Sequence, residues 1–531
     1  MSDNLNNNFT WDFDSNDIPP YDLWLFKWEA TNIYDYIFET DDLNLIRGAS
    51  QLLKNFKDDI KKIVNGSTYK IQTVYNAASQ FLAIVNGNEA DVKEFGGNII
   101  DKFSGDEYFG TSAYGIVNLK QLYFTGNIKL LYAIQQCEEQ ILRKRLRSLD
   151  VYPGANNSLL GLDEVDKLRL ADKKSPKVYR DGMDNKELNM SSGTYVKFNN
   201  GKDERWGLIE DIYKLKYVHL INKKIFFQDI SSLSKIGVKE NNGYISFITV
   251  DGNGFTKERE NIKTLSGLCE FSVFIENIQK KCILNAIEKE LNEINVNIKS
   301  TQKTAQPVQL LYMAGDEFDL IVRGNRGIDV VNSLIFNFPE ICKSELKNYG
   351  KIKSITELEK LSISVGLVFA HANTPIKLIR EAAHELRKNS KNKSREDSII
   401  DFMVFESHPT TSDGINEYRK KNLENGTKKF YSRPYIKDDF VKLMEIIIKC
   451  KQNKLPKTQL YKLVSEYNEF IKHVKQKSSK EQLLQKFSKI KETIVNIQFN
   501  NMNNEVKSIK VFLLNNSKSI IDFYELYDYV H

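Results

Sequence analysis

Leu310-Leu311-Tyr312-Met313-Ala314-Gly315-Asp316-Glu317-Phe318-Asp319-Leu320-Ile321-Val322 reads as two apolar runs interrupted by two small and two acidic residues. That pattern predicts a β-hairpin with Asp316 and Glu317 at its tip. A third carboxylate stands in a similar setting upstream. There Tyr244-Ile245-Ser246-Phe247-Ile248-Thr249-Val250-Asp251 predicts a strand that stops at Asp251, before Gly252-Asn253-Gly254 turns the chain. Carboxylates at strand ends are hard oxygen ligands of the kind Mg2+ takes, usually one or two beside the phosphates of a substrate. Two such ions roughly 3.5–4 Å apart activate an attacking hydroxyl and stabilise the oxygen leaving phosphorus, which is nucleotidyl-transfer chemistry. Gly-Asp and Asp-Gly are also common turn formers, so either motif taken alone reads as a solvated turn before it reads as a metal site.

The chain has 531 residues, with 76 Lys and Arg against 70 Asp and Glu and a formal net charge of +6. The length exceeds what one hydrophobic core supports and predicts roughly two to four domains. So small a charge excess rules out a dedicated nucleic-acid coat and leaves any nucleic-acid contact local. Cys137, Cys269, Cys282, Cys342 and Cys450 are widely separated and form no CxxC pair. This argues against disulfides and a cysteine-rich zinc site and fits a reducing cytoplasm. The amino terminus is polar, and no apolar run approaches the ~20 residues that span a bilayer, so no membrane contact is expected.

Along the chain, residues 1–18 read as a disordered polar tail and 19–150 as a compact α+β unit of strand, helix, hairpin, helix and strand. Residues 241–432 repeat that order, with a strand ending at Asp251, a helical stretch over 265–293, the 310–322 hairpin, a helix around 326–336, a strand over 361–370 and a helix over 374–390. Between the units, 151–240 mixes turns and short strands, and 433–531 has the periodicity of a helical bundle. The two copies are chemically unequal. Where the second carries Ala314-Gly315-Asp316-Glu317, the first carries Ala77-Ala78-Ser79-Gln80, without an acid. One copy holds the metal ligands and the other is expected to act as scaffold or second substrate wall.

These motifs, in this order, resemble the large polymerase-like subunit of type III CRISPR effector complexes. That family has two ferredoxin-like palm (GGDEF-like cyclase) domains, an intervening domain and a carboxyl-terminal helical bundle. The resemblance covers nearly the whole chain from about residue 20. It rests on Arg47-Gly48-Ala49-Ser50-Gln51-Leu52-Leu53, Asp251-Gly252-Asn253-Gly254, Ala314-Gly315-Asp316-Glu317, Ser364-Val365-Gly366-Leu367-Val368-Phe369-Ala370-His371, Arg433-Pro434-Tyr435 and Glu525-Leu526-Tyr527-Asp528-Tyr529-Val530. It implies a second palm that joins ATP by 3′-hydroxyl attack on an α-phosphate into cyclic oligoadenylate, with Asp251, Asp316 and Glu317 carrying Mg2+ or Mn2+. It further implies nucleotide contacts from Gly252, Asn253, Gly315, Lys391, Arg47 and Ser50. The implied partners are other effector subunits, guide RNA and an activating target RNA.

The chain departs from the family's usual Gly-Gly-Asp-Asp at Ala314 and Glu317. Diguanylate cyclases share the palm and use Glu at the second acid, which leaves the choice of ATP or GTP open. No His-Asp dipeptide occurs, so HD-type nuclease cleavage is not expected, and the cysteine-free 151–240 segment gives no expectation of zinc. Lys391 follows the 374–390 helix where related cyclases place a triphosphate-binding lysine. His371 and His384 have no partners at metal-ligand spacing and are read as packed or exposed. Two alternatives stay beside the ATP cyclase: an architectural subunit with a decayed site, and a standalone synthase using ATP or GTP.

Overall fold

The computed structural model describes residues 22–77, 79–120, 130–147, 161–167, 169–174, 178–180, 183–203, 207–218, 226–227, 243–297, 304–305, 308–405, 414–497 and 504–530. The expected tail at 1–18 lies outside the described residues, as does much of 151–240.

The first unit comprises β1 (Leu23–Thr31), α1 (Ile33–Ile37), α2 (Leu43–Gly66), β2 (Lys70–Asn76), β3 (Gln80–Asn86), α3 (Glu89–Ser104), β4 (Thr111–Asn118) and α4 (Leu130–Arg147). Capping fixes where its helices start. The Asp42 side chain accepts from the backbone of Asn44 and Leu45 at the head of α2, and Asn88 and Asp91 form a reciprocal capping box on α3. The sheet order is β2-β3-β1-β4, with every pair antiparallel. Alternation along β1 sends Trp24, Phe26 and Trp28 toward Phe56 of α2 and Phe95 and Phe103 of α3, and sends Leu23 and Leu25 toward Ala133 and Cys137 of α4.

After α5 (Ser192–Asp203) and α6 (Ile209–Tyr213), the second unit repeats the plan. It contains β5 (Tyr244–Asn253), α7 (Phe255–Asn261), α8 (Leu265–Asn297), β6 (Val308–Ala314), β7 (Glu317–Arg323), α9 (Gly327–Leu346), β8 (Ser362–His371), α10 (Ile376–Lys393) and β9 (Ile399–Val404). Further on come α11 (Gly414–Leu423) and the short β10 (Tyr435–Ile436). The sheet order β6-β7-β5-β8 reproduces β2-β3-β1-β4, extended by β9, parallel to β8, and then by β10. The fold is α+β with two ferredoxin-like palms.

Several edges differ from the sequence reading. β5 continues through Gly252 to Asn253, because the β8 ladder pairs as far as Ser362. α8 and α9 run past their expected ends, α9 with Pro339 inside it. Lys391 lies within the last turn of α10 rather than after it.

The two palms pack reciprocally, α2 against β6 and α8 against β2. Ser50 donates to the Leu311 carbonyl, and Lys57 of α2 meets Glu276 of α8 at 3.2 Å. On its other side α2 lies so close to α5 that a Cβ on Gly48 would fall 1.7 Å from the Lys197 carbonyl oxygen, and one on Gly201 1.7 Å from that of Asn44. The Arg47–Leu53 motif is thus a packing seam.

The bundle consists of α12 (Lys437–Gln452), α13 (Lys457–Lys475), α14 (Lys480–Asn496), α15 (Asn504–Asn515) and α16 (Ser519–Tyr527). No helix among the described residues is long and apolar enough to cross a membrane. A buried ionic network joins the bundle to the second palm. Arg419 grips Asp401 of β9 with two hydrogen bonds, at 2.6 and 2.8 Å. Arg433 reaches Asp522 at 2.8 Å and Glu525 at 2.7 Å on α16, and Tyr435 donates to Asp522 at 2.6 Å. Both guanidinium groups also donate to the Phe402 carbonyl. This network accounts for Arg433-Pro434-Tyr435 and Glu525 recurring as motifs at opposite ends of the bundle sequence. Removing the cation strands buried carboxylates, so Arg433→Met is expected to cost about 3–5 kcal/mol, read from the urea midpoint of the bundle transition. Arg433→Met/Asp522→Leu should recover much of that loss. A single variant with the wild-type midpoint would show that the pair does not hold the bundle to the palm.

Candidate active site

The register of the second sheet decides which side chains share a face. Asp251 stands opposite Glu317 on β7 and Ser364 on β8, and Thr249 stands opposite Asp319 and Gly366. With a period of two, Ile245, Phe247, Thr249 and Asp251 line one face of β5, apolar at one end and acidic at the other. α10 covers this face. Gly366 brings the helix down onto the sheet, since a Cβ there would stand 2.0 Å from the Ala383 carbonyl oxygen. Arg380, His384, Arg387 and Lys391 are spaced by four, three and four residues and form one stripe on α10 above the acids.

The stripe meets the acids rung by rung. Arg380 Nε lies 2.9 Å from Asp319, and His384 Nε2 stands 3.3 Å from both Asp319 oxygens. Arg387 is hydrogen-bonded to Glu317 and lies 3.7 Å from Asp251. Lys391 Nζ lies 2.6 Å from Asp251. Burial opposes the charge of Asp319, but the hydrogen bond and charge of His384, with the Arg380 guanidinium, bring its carboxyl down to about 2. Burial also works against Arg387, and Glu317 and Asp251 more than offset it, so its pKa is raised. The first palm adds a clamp. Tyr34 of α1 donates its hydroxyl to Glu317, its ring lies 4.6 Å from the Arg380 guanidinium, and Asp41 accepts from the Lys377 amide at 2.8 Å.

Asp316 differs from its neighbours. Gly315, with φ 59°, turns the chain, and the Gly252 amide donates to the Asp316 carbonyl at 3.2 Å, holding the hairpin tip over the end of β5. Burial first, and then the nearby charge of Asp251, push the Asp316 carboxyl up to about 7. It forms no ion pair among the described residues. A buried carboxyl beside a second carboxylate is a hard-oxygen donor set that a divalent cation would relieve, so Asp251 and Asp316 fit such an ion. Glu317 is turned to Arg387 and Tyr34, and no three His, Cys, Asp or Glu among the described residues gather as a metal cluster.

Of the other residues singled out from sequence, Gly252 and Gly315 shape the turn around Asp316. Asn253 is buried and bonded to Ser362 and Ser364, at 2.9 Å each. Arg47 and Ser50 are buried on α2, with Arg47 bonded to Asn44 and Ser50 to Leu311. Asp319, Arg380, Arg387 and Tyr34 escaped the sequence reading. The available signal was the 380/384/387/391 spacing of basic side chains on a helix adjoining an acidic hairpin. Glu29 was missed too. It pairs with Gln80 across the first sheet as Asp251 pairs with Glu317 across the second. The first palm therefore keeps one acid at that position, tied to Lys27 at 2.8 Å and to Arg145 of α4 at 3.4 Å.

Residues 244–400 match the family model described as Cas10/Cmr2, second palm domain. No curated protein matches. Among solved structures, Csm1 in T.onnurineus is 13% identical with a TM-score of 0.54, over 95% of this chain and 70% of that one. The Csm1-Csm4 cassette in complex with pppApApA gives 13% and 0.56 over 96% and 71%. The cassette in complex with cA3 gives 13% and 0.54 over 98% and 71%. Residues 244–400 are thus similar to the second palm domain of Cas10/Cmr2, in a chain that shares its fold with Csm1, and the resemblance to the large subunit of type III CRISPR effectors holds.

Proposed function

We propose that this chain is a nucleotidyltransferase, dependent on Mg2+ or Mn2+, that joins ATP into cyclic oligoadenylate as the large subunit of an RNA-guided type III effector. The observation that carries the proposal is the approach of Asp316 to Asp251 at the acidic end of a Cas10/Cmr2 palm, with Lys391 beside them. The ligands of the related Csm1-Csm4 structures support the choice of adenosine. pppApApA is the strand left when a 3′-hydroxyl attacks the α-phosphate of ATP and pyrophosphate departs, and cA3 is a ring closed in the same way. Partner subunits of the Csm4 kind, guide RNA and an activating target RNA belong to the same proposal.

Asp251 and Asp316 would hold the divalent cation. Bound there, it would supply Lewis acidity toward the attacking hydroxyl and the phosphate. The chain's own residues supply the rest. Asp316 sheds its proton before it serves as a ligand. Lys391, released from Asp251, offers a point charge to the triphosphate and to departing pyrophosphate. Arg387 holds Glu317 against the sheet, and Tyr34 carries the first palm to the same carboxylate. The engagement of Glu317 by Arg387 and Tyr34 favours a second reading, an architectural subunit with a closed site.

Incubation with labelled ATP or GTP and Mg2+ or Mn2+, with and without RNA and co-purifying subunits, separates the two. Adenylate oligomers and pyrophosphate are expected from wild type, with a loss of roughly 100-fold or more in Asp316→Ala/Glu317→Ala. No product under any condition, with both proteins assembling alike, would leave the architectural reading. Lys391→Ala should lower kcat about 10–100-fold while the melting temperature stays within a few degrees. An unchanged kcat would remove Lys391 from the site.

The raised Asp316 pKa gives a test without turnover. In the cation-free protein the folded carboxyl titrates near 7 and the unfolded one near 4, so the unfolded chain sheds the proton first. This group's contribution to stability therefore falls as pH rises from about 4 to about 7. Asp316→Asn should flatten the melting-temperature profile across that window. Identical profiles would show an unperturbed carboxyl.

A further inference from the structure

α10 has a second occupied flank. Turned away from the stripe above the acids, Asn389, Asn392 and Lys393 line a cleft of about 1200 Å3. Its other walls are α11, the short hairpin of Glu424–Asn425 and Lys428–Lys429, and α13 of the bundle. The volume exceeds the ~300–1,000 Å3 usual for a small-molecule pocket, so the cleft suits an extended ligand.

Its charge is one-sided. Lys393, Lys420, Lys428, Lys429 and Lys518 line it against two glutamates, Glu417 and Glu424. Both glutamates are already engaged: Glu417 by Lys420 at 3.5 Å, and Glu424 by the Tyr431 hydroxyl and by Lys429 at 3.9 Å. The two arginines in the wall, Arg419 and Arg433, are buried against Asp401, Asp522 and Glu525. Lys428 and Lys518 are exposed and form no ion pair among the described residues, and the Lys393 ammonium meets only the Pro434 carbonyl. The floor is aromatic, with the half-buried Phe470 edge-on to Phe430, centroids 6.3 Å apart.

Free lysines along an open groove with an aromatic floor are the composition that tracks a sugar-phosphate backbone and offers a surface to a base. A peptide partner would need to be strongly acidic and would leave the aromatic floor unused. We infer that this cleft binds a single strand of nucleic acid, held through its phosphates. The site has a consequence for catalysis that rests on the transferase reading. A strand in the cleft touches the last two turns of α10, whose other side presents Arg387 and Lys391 to Glu317 and Asp251. Asn389 ties the same turns to Asp401 at 3.2 Å and to Asn416 at 2.8 Å. Binding in the cleft thereby acts on the cations that neutralise the acids.

The test is fluorescence anisotropy of a labelled single-stranded RNA of mixed sequence, titrated with the full chain over a series of salt concentrations. A DNA of the same sequence and inorganic tripolyphosphate serve as competitors. Lys428→Glu/Lys518→Glu is expected to weaken binding at least tenfold. It should also reduce the log–log salt slope by about 1.4, two phosphate contacts at about 0.7 each. Lys347→Glu/Lys353→Glu, exposed lysines elsewhere on the second palm, should leave both unchanged. Wild-type affinity in the cleft variant would overturn the inference, and so would an equal loss in the control. Displacement by tripolyphosphate as effective as by the strands would also overturn it, since the ligand would then be a small phosphate. Turnover measured in parallel keeps the two readings apart. A wild type that binds RNA through these lysines yet makes no product supports the cleft while failing the transferase.

Discussion

The second palm is organised around an electrostatic conflict that its own strand register creates. Pairing β5 with β7 sets Asp251 directly opposite Glu317, and like charges facing each other across a ladder oppose sheet formation. The hairpin tip adds Asp316, and Asp319 follows on the same face. A sheet with this register calls for a cationic cover, and α10 supplies it with Arg380, Arg387 and Lys391, with His384 hydrogen-bonded to Asp319 between them. The cover must also lie close, because an ion pair at the surface is worth little and one partly shielded from water is worth more. Gly366 provides that approach. The apolar half of the same face, with Ile245, Phe247 and Ile321 meeting Ile379 and Ala383, anchors the helix so that its basic half is delivered to the acids.

The duplication shows what happens when that conflict is relaxed. In the first palm Gln80 occupies the Glu317 position and Ser79 stands at the hairpin tip, leaving Glu29 as the one acid on the face. One carboxylate needs less compensation. Glu29 is met by Lys27, which also pairs with Glu138 of α4, and by Arg145 on that helix, where Cys137 and Ala133 pack as core. The two copies share topology, helix placement and even a basic residue over the acid. What distinguishes them is the density of negative charge, which only a bound cation or a row of basic side chains can stabilise.

The strands and helices of both palms were legible because their signals are local. Alternating and continuous apolar runs bounded by Gly, Asn and Asp marked the hairpins, and the helix expected over 374–390 is found as α10. The acids Asp251, Asp316 and Glu317 were legible as strand-end carboxylates. Their partners were not, because Arg380 and Arg387 on a basic helix are indistinguishable in sequence from a solvated face. Only the register reveals that this face looks at Asp319 and Glu317 rather than at water. Tyr34 and Glu29 were hidden for the same reason, since each gains meaning from a pairing across the fold. The Arg47–Leu53 stretch shows the converse. Its resemblance implied nucleotide contacts from Arg47 and Ser50, but not that Gly48 and Ser50 mark how closely α2 approaches α5 and β6.

The position of α10 connects these features. The helix is held on one side by charge and on the other by the Asn389–Asp401–Arg419 contacts. Asp401 belongs to β9, and through the Phe402 carbonyl it adjoins the Arg433–Asp522 pair that holds the bundle. The bundle end of this route to the acids is a run of buried, hydrogen-bonded charges, in which water screens little, and the half-buried amide of Asn389 carries it on to α10. A strand bound in the lysine-lined cleft as inferred above would lie beside Asn389, at the midpoint of that route. The acids Asp251 and Asp316 are in this way linked to the palm–bundle junction through the helix that covers them.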